Sequence, residues 1–379
     1  MHWPRLSIDS VRPSRFSPPF CPRTDCLAHR QRGKGFKRNG WYRKPSSIRK
    51  IPRFLCRECG KSCSRSTFST TYYLKRPALL PAVARGLTAC SAHRQIARSN
   101  HCAKTTVTRM AERLGRHAIL FHARCRANLP HIQESVVHDH FETFIERQDR
   151  ALGIGTAVGS RSWFVYDVDP APHKGSGRRP DRKTQATKLS ASGVSYVKSI
   201  KRTIGGLLTH LSEGNRLTLI VDGRHDYRVA AKASNLQTRL ALRVYPNPKR
   251  GPKGSPRSPE AKERDAAMFP VDQLHQLLRH TCSDHKRETI AFGRRLESIM
   301  GRAHLIAVWK NFIKSRSERR PDRTTPAMKV GLSDSRWQWE RLLSRRLFAE
   351  RENLTESASL IYRKRWTKSL PELVRKHAA

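Results

Sequence analysis

The chain has 379 residues, of which 37% are hydrophobic, enough to bury at least one substantial core, so a wholly disordered protein is excluded. Its 76 lysines and arginines outnumber 30 acidic residues and give a formal charge of +46, spread from end to end. No apolar run is long enough to span a membrane and no signal-peptide pattern follows Met1, which argues against membrane and secreted proteins. We therefore expect a cytoplasmic protein with a polyanionic partner, DNA or RNA.

Two cysteine couples lie in the basic segment 1–76: Cys21 with Cys26, and Cys56 with Cys59. Four cysteines at such spacing are typical of a structural zinc site. Disulfides and buried free thiols are the alternatives, and a reducing cytoplasm disfavours disulfides. Cys63 is a nearby competitor as a ligand. We predict a zinc ribbon with a basic N-terminal arm, in which zinc compensates for the shortage of aliphatic residues, and with Trp41 among the aromatic residues packed around it.

Segment 77–128 has the pattern of a helix-turn-helix. Ser91 is expected to cap a first helix, 99–102 to turn, and Thr105 or Thr106 to cap a second helix. The second helix has one apolar stripe: Val107, Met110, Ala111, Leu114 and Ala118. Its other face would contact the major groove of DNA, although a helical hairpin with a solvated basic face is the alternative. The DNA-binding residues predicted here are Thr105, Thr106, Thr108, Arg109, Arg113 and Arg116.

Segment 129–315 has the layout of an α/β domain. Strands are predicted at 135–144, 151–158, 163–168, 217–221 and 240–245, with a helix at 194–211. The stretch 246–265 is rich in proline, glycine and basic residues, and we predict a loop there that grips DNA through Lys249, Arg250 and Lys253. Helices are expected to resume over 266–314, and a basic helical region over 316–379.

Two aspartates occupy strand positions in this segment. Asp139 lies within the first predicted strand, and Asp222 follows the apolar strand 217–221. Open α/β sheets bind ligands at such strand ends, although Asp222 before Gly223 is also typical of a turn. Two-metal phosphoryl transfer needs clustered carboxylates, so we predict that Asp139 and Asp222 bind magnesium and that a third acid comes from a later helix.

Together these features resemble a family, the DDE-type transposases of bacterial insertion sequences. The resemblance rests on the cysteine couples with Arg53 to Lys61, on the helix-turn-helix, on Asp139 among aromatic residues, on Val221-Asp222-Gly223 and on 287–292. It implies a ribonuclease H-like mixed sheet with flanking helices, preceded by the zinc ribbon and helix-turn-helix. It further implies binding of transposon ends and target DNA, magnesium- or manganese-dependent cleavage and strand transfer, a homo-oligomer on DNA, and association with the nucleoid.

In such families a basic residue often follows the last catalytic acid by seven positions, which places both on one helical face. Asp272 with Arg279 satisfies this spacing, and so does Glu288 with Arg295. The resemblance implies glutamate at this position, which Glu288 provides, whereas the surrounding motif favours Asp272. Glu297, or no third acid, remains open. Arg279 or Arg295 would hold the scissile phosphate.

Two other classes of function remain. A zinc-dependent DNA-binding regulator, or an inactive transposase derivative, would use the same N-terminal half with a catalytically dead α/β region. A ribosomal or RNA-binding protein would explain the charge but not the spaced acids.

Overall fold

The computed structural model describes residues 16–30, 35–44, 47–174, 182–232, 238–248, 251–252, 254–286, 288–318 and 323–366. The fold is mixed α/β, with a three-stranded sheet, a five-stranded mixed sheet and helices that flank the larger sheet. The α/β class predicted from the sequence is therefore confirmed.

The N-terminal part contains a three-stranded antiparallel sheet. After one helical turn, α1 (Leu27–Arg30), come β1 (Phe36–Lys44), β2 (Ser47–Cys56) and β3 (Ser62–Ser64), with β2 in the centre. Phe54 and Phe68 are buried against Cys63 in one apolar cluster. Trp41, also expected to pack around the zinc ribbon, is 49% exposed.

Three helices follow: α2 (Leu79–Thr88), α3 (His93–Ser99) and α4 (Lys104–Ala127). The α3–turn–α4 arrangement and the apolar stripe of α4 agree with the prediction, since Val107, Met110, Leu114 and Ala118 are buried and Ala111 is half-buried. The predicted caps are wrong. The N-cap residues are Ala92 and Ala103, both with extended backbone and neither with a side chain that could bond to the helix end.

The larger sheet has the order β6-β5-β4-β7-β8. Its strands are β4 (Val136–Ile145), β5 (Arg147–Gly159), β6 (Val165–Lys174), β7 (Leu217–Val221) and β8 (Leu240–Val244). β4, β5 and β6 pair antiparallel, whereas β7 pairs parallel with both β4 and β8. All five predicted strands are confirmed. β6 continues past Pro170 and Pro172 because it is an edge strand, where a residue without an N–H is tolerated.

Helices cover both faces of this sheet. They are α5 (Arg182–Leu208), α6 (Asp226–Lys232), α7 (Pro259–Thr281) and α8 (Leu296–Phe312). Alternate residues of β5 point in opposite directions: Gly155 lies against Ser199 of α5, and Thr156 bonds to His275 of α7. The helical region predicted over 266–314 is interrupted between Thr281 and Leu296. Among the described residues of this segment, Ser283–His285 form a 3-10 turn and Gly293 makes an isolated bridge to Ile145. None of the described helices is long and apolar enough to cross a membrane.

The C-terminal region returns to the N-terminal part. It contains three short helices, α9 (Pro326–Lys329), α10 (Trp339–Leu342) and α11 (Glu356–Tyr362). The Phe348 ring packs edge-on to Phe20, 5.1 Å between centroids, and Arg346 N–H donates to the Phe68 carbonyl over 2.8 Å. This region therefore covers one side of the aromatic cluster beside the small sheet.

A single apolar core joins α2, α3 and α4 to the larger sheet, to α8 and to the C-terminal region. α4 and α8 cross closely: a Cβ on Gly115 would lie 3.0 Å from Gly301 Cα, so any larger residue would push the two backbones apart. The predicted regions 77–128, 129–315 and 316–379 thus share a core, and their boundaries stay predictions.

Candidate functional site

The four predicted cysteine ligands converge. The sulfur atoms of Cys21, Cys26, Cys56 and Cys59 all lie within 4.8 Å of one another. Cys21 Sγ is 3.5 Å from Cys59 Sγ, and Cys26 Sγ is 3.8 Å from Cys56 Sγ. Four thiolates about 2.3 Å from a tetrahedral Zn²⁺ would be separated by about 3.8 Å. The cluster could therefore hold a metal ion of this kind, and Cys63 is not a member of it.

The backbone around Cys56 favours a thiolate. Burial acts to raise the pKa of Cys56, but hydrogen bonds from the backbone N–H groups of Cys59 and Glu58 and from the side chains of Cys26 and Cys21 together lower this pKa. The Gly60 N–H donates to the Cys56 carbonyl over 2.9 Å with φ of +67°, a conformation that favours glycine. In the other cysteine couple, His29 Nδ1 donates to the Cys21 carbonyl over 2.7 Å. Local hydrogen bonds thus hold the backbone of both couples.

Asp139 and Asp222 lie on neighbouring parallel strands. β4 and β7 pair Val137 with Ile220, and each aspartate comes two residues later along its strand direction. Asp139 is in the middle of β4, and Asp222 directly follows β7. One oxygen of Asp222 accepts the Arg224 N–H over 3.1 Å, so this aspartate also makes the turn contact that its position before Gly223 suggested.

Helix α7 brings a third acid to Asp139. Asp272, His275 and Asp139 each offer a ligand atom within 4.8 Å of the others, so these three could hold a metal ion. His275 Nδ1 is 3.8 Å from Asp139 Oδ2. Arg279, seven residues after Asp272, lies on the same helix, and its guanidinium is 5.7 Å from the centroid of the Phe141 ring.

The carboxylates of this cluster are close together and partly buried. Burial, with the neighbouring charges of Asp222 and Asp272, raises the pKa of Asp139 to about 7. Burial also raises the pKa of Asp222. Arg264 opposes both effects, and its Nη1 contacts Asp272 Oδ2. A cation among these acids would relieve their repulsion, which fits the donor set of a divalent metal ion.

Glu288 lies elsewhere. It is exposed in the segment between α7 and α8, and α8 begins only at Leu296. The expectation that Glu288 and Arg295 share a helical face is therefore wrong, because residues 288–295 form bends and an isolated bridge instead of a helix. Arg295 is the N-cap residue of α8, and Glu297 lies in its first turn. Arg295 and Glu297 line a cleft of about 90 Å³ beside α4, together with Asp284 and Arg302.

The predicted DNA-binding residues of α4 differ in their surroundings. Thr105 and Arg109 are exposed and Thr106 is half-buried. Thr108 Oγ1 bonds to His93 Nδ1 over 3.1 Å. Arg113 donates to the carbonyls of Thr70 and Tyr72 over 2.7 and 2.9 Å, and Arg116 lies 4.4 Å from the Tyr362 ring centroid.

The basic loop 246–265 is described only in part. Lys249, Arg250 and Lys253 lie outside the described residues, so their predicted role in DNA binding stays a prediction. α7 already begins at Pro259, capped by Ser258, whose hydroxyl accepts the Ala261 N–H over 3.2 Å.

A third group, Cys282, Asp284 and His285, also brings ligand atoms within 4.8 Å of one another. Although burial opposes it, His285 and Arg302 lower the pKa of Asp284 to about 2. Arg302 Nη1 is 3.9 Å from Asp284 Oδ1, so the negative charge is already balanced inside the protein.

Sequence reasoning missed His275 and Arg264. A usable signal for His275 was the pattern Asp272-x-x-His275, because residues three apart on a helix lie on one face. For Arg264, eight residues before Asp272, spacing alone gave no such signal.

No protein-family model matches this chain, and no curated protein matches it either.

Proposed function

We propose that this protein is a DDE-type DNA transposase that cleaves DNA and joins it to a target in a metal-dependent reaction. One observation carries the proposal. Asp139 and Asp222 come from adjacent parallel strands, and α7 brings Asp272 to Asp139, so that acids distant in sequence act on one another's pKa. Such a carboxylate cluster suits two divalent ions in phosphodiester chemistry.

The topology supports a ribonuclease H-like fold. When β4 is counted as the first strand, the order of strands in the sheet is 3-2-1-4-5. The central strand β4 pairs antiparallel with β5, and β7 and β8 run parallel to β4. Asp139 lies on the central strand and Asp222 follows the fourth strand, and these are the two aspartates that the family resemblance implies as catalytic acids. The third acid would be Asp272, where the resemblance implies glutamate.

The N-terminal half would recognise DNA. The four-cysteine cluster beside a three-stranded sheet is consistent with a zinc ribbon, and α3 with α4 is consistent with a helix-turn-helix. The formal charge of +46 favours contacts with phosphates of transposon ends and target DNA. A homo-oligomer on DNA and association with the nucleoid are part of this proposal.

In the mechanism, Asp139, Asp222 and Asp272 would hold the ions. With divalent ions bound, these residues would hold a site that activates the attacking oxygen and stabilises the leaving oxygen. The protein's own contribution is position and charge: β4 and β7 fix two carboxylates in register, and α7 fixes the third. Arg264 balances their charge and, with Arg279, provides guanidinium donors for the scissile phosphate on this side of the sheet. Water would attack the phosphodiester at the transposon end and break its P–O3′ bond, which leaves a 3′ hydroxyl. That hydroxyl would then attack a phosphodiester of the target DNA and displace the 3′ oxygen of the target strand.

The test is cleavage of plasmid DNA that carries the sequences flanking the gene, with Mg²⁺ or Mn²⁺. Asp139→Asn, Asp222→Asn and Asp272→Asn should each lower the rate about 100-fold or more, because each removes an ion ligand. Glu288→Gln, an exposed acid outside the cluster, is the matched control and should keep wild-type activity. Equal rates in wild type and Asp222→Asn would contradict the proposal.

An inactive derivative, or a zinc-dependent DNA-binding regulator, is the second candidate. Arg264 favours it, because its contact with Asp272 and its charge near Asp139 and Asp222 balance the acids without an ion. DNA binding by the wild type and by Asp222→Asn, with cleavage by neither, would support this candidate.

A further inference from the structure

His275 lies beside the acids and is almost enclosed. Its side chain extends from α7, its residue is only 7% exposed, and its ring packs on Phe141 with centroids 5.0 Å apart. The ring has two polar atoms. Nε2 lies 2.8 Å from Thr156 Oγ1, and Nδ1 lies 3.8 Å from Asp139 Oδ2. The two nitrogens therefore face different partners.

Thr156 determines which nitrogen carries the hydrogen. Its hydroxyl donates to the Asp139 carbonyl over 3.3 Å, and a hydroxyl has a single hydrogen. Toward His275 the Thr156 oxygen can then only accept, so His275 Nε2 donates. In the neutral ring the other nitrogen, Nδ1, has a free lone pair.

That lone pair is directed at the acids. Among the described residues Nδ1 has no hydrogen-bond partner, since 3.8 Å to Asp139 exceeds hydrogen-bond reach. The Nδ1 lone pair and the Asp139 oxygen thus face each other in a nearly dry site without a hydrogen bond between them. Two ligands of one divalent ion, however, lie about 3 to 4 Å apart. A cation is the partner that both atoms can bind.

We infer that His275 Nδ1 is a metal ligand, and that it binds one ion together with an oxygen of Asp139 and an oxygen of Asp272. This inference rests on the proposed function and names the ion class. Mg²⁺ prefers oxygen ligands, whereas imidazole suits first-row transition ions. The site would therefore select Mn²⁺ over Mg²⁺. Thr156 is the positioning residue, because it fixes the tautomer and the orientation of the ligand ring.

The test uses full-length protein with its cysteine site loaded with zinc, and Mn²⁺ as the probe. Electron spin-echo spectroscopy of bound Mn²⁺ detects a directly bound ¹⁴N nucleus. We expect nitrogen modulation in the wild type, its loss in His275→Ala and in the larger His275→Gln, and its retention in His280→Ala. His280 is exposed on the same helix and is the matched control. Mn²⁺ affinity should fall at least about tenfold in His275→Ala and about tenfold or more in Thr156→Val.

The outcomes separate the two proposals. If Mn²⁺ binding depends on Asp139 and Asp222 but the wild type shows no nitrogen modulation, His275 is not a ligand and the carboxylate site stands. If Asp139→Asn and Asp222→Asn bind Mn²⁺ as the wild type does, the proposed metal centre itself fails, and His275 fails with it. Because the wild-type spectrum needs no variant, a folding defect in His275→Ala does not obscure the result.

Discussion

The pKa of Asp139 is shifted by burial and by its charged neighbours. Burial and the charges of Asp222 and Asp272 favour its neutral form, and its pKa rises to about 7. A free aspartate has a pKa of about 4. Because the folded protein holds this proton more tightly than the unfolded chain does, the free energy of unfolding decreases as the pH rises from about 4 to about 7.

We therefore predict that Asp139→Asn makes the protein without Mg²⁺ or Mn²⁺ more stable at neutral pH. As the pH rises from about 4 to about 7, the wild type should lose up to about 4 kcal/mol of its free energy of unfolding through the ionisation of Asp139. The variant should not lose this contribution, because asparagine does not ionise. Denaturant titrations at several pH values measure this difference.

The control for this prediction is Glu288→Gln, which changes an exposed acid outside the cluster and should leave the pH dependence unchanged. Addition of Mn²⁺ at pH 8 should stabilise the wild type more than Asp139→Asn, since an ion that binds only the folded state adds stability. Parallel pH profiles for the wild type and Asp139→Asn would show that Asp139 is ionised at neutral pH in the folded protein.

At the same scale, the sequence could not decide between Asp272 and Glu288. Both have a basic residue seven positions later, so spacing alone was uninformative. The difference comes from where a helix ends: α7 includes Asp272 and Arg279 and stops at Thr281. His275 on α7 contacts Asp139 on β4 and Thr156 on β5. The spacing of residues along the chain does not predict a contact between three elements.

At the scale of elements, the turn between β2 and β3 carries two of the four cysteines. Gly60 follows Cys59 with φ of +67°, and a Cβ at this position would meet no atom within 4 Å. Any effect of a side chain here would come from backbone strain alone. The Gly60 N–H bonds to the Cys56 carbonyl, so this strain would act directly on the cysteine geometry.

We predict that Gly60→Ala weakens zinc binding about 5- to 30-fold, which corresponds to about 1 to 2 kcal/mol for an L-residue in the left-handed conformation. Competition with a chromophoric chelator measures this affinity. Gly214→Ala is the matched control, because Gly214 also has a positive φ, of +77°, and no neighbour within 4 Å, but lies far along the chain from the cysteines. Equal zinc affinities in the wild type and Gly60→Ala would mean that the turn does not constrain the site.

Elements with strong apolar patterns were the predictable part of the fold. The five strands and the apolar stripe of α4 are predictable because their residues are buried, and buried positions appear in the sequence as a periodic pattern of apolar residues. The helix starts were not predictable from capping residues. Ala92 and Ala103 begin α3 and α4 because the preceding turn and the shared core fix the chain there, and a nearby Ser91 or Thr105 does not override that packing.

At the scale of the whole molecule, an arginine side chain can either bind DNA or stabilise the fold. An arginine that binds DNA must keep its guanidinium available, whereas one that holds the fold together uses it internally. Arg109 is exposed on α4. Arg113, one turn later, donates to two carbonyls of the segment before α2. Not all of the 76 lysines and arginines are therefore available to a phosphate.

We predict that the two arginines respond differently to replacement by alanine. Each phosphate contact contributes about −0.9 to the slope of log affinity against log salt concentration, so Arg109→Ala should make this slope shallower by about one unit. Arg113→Ala should leave the slope unchanged and lower the free energy of unfolding by about 1 to 3 kcal/mol, because the Thr70 and Tyr72 carbonyls lose a charged donor. DNA titrations between roughly 50 and 200 mM salt give the slope. Denaturant titrations give the stability. A shallower slope in Arg113→Ala would mean that this arginine leaves its carbonyl partners to bind DNA, and that α4 lies closer to the phosphates than its packing on α8 suggests.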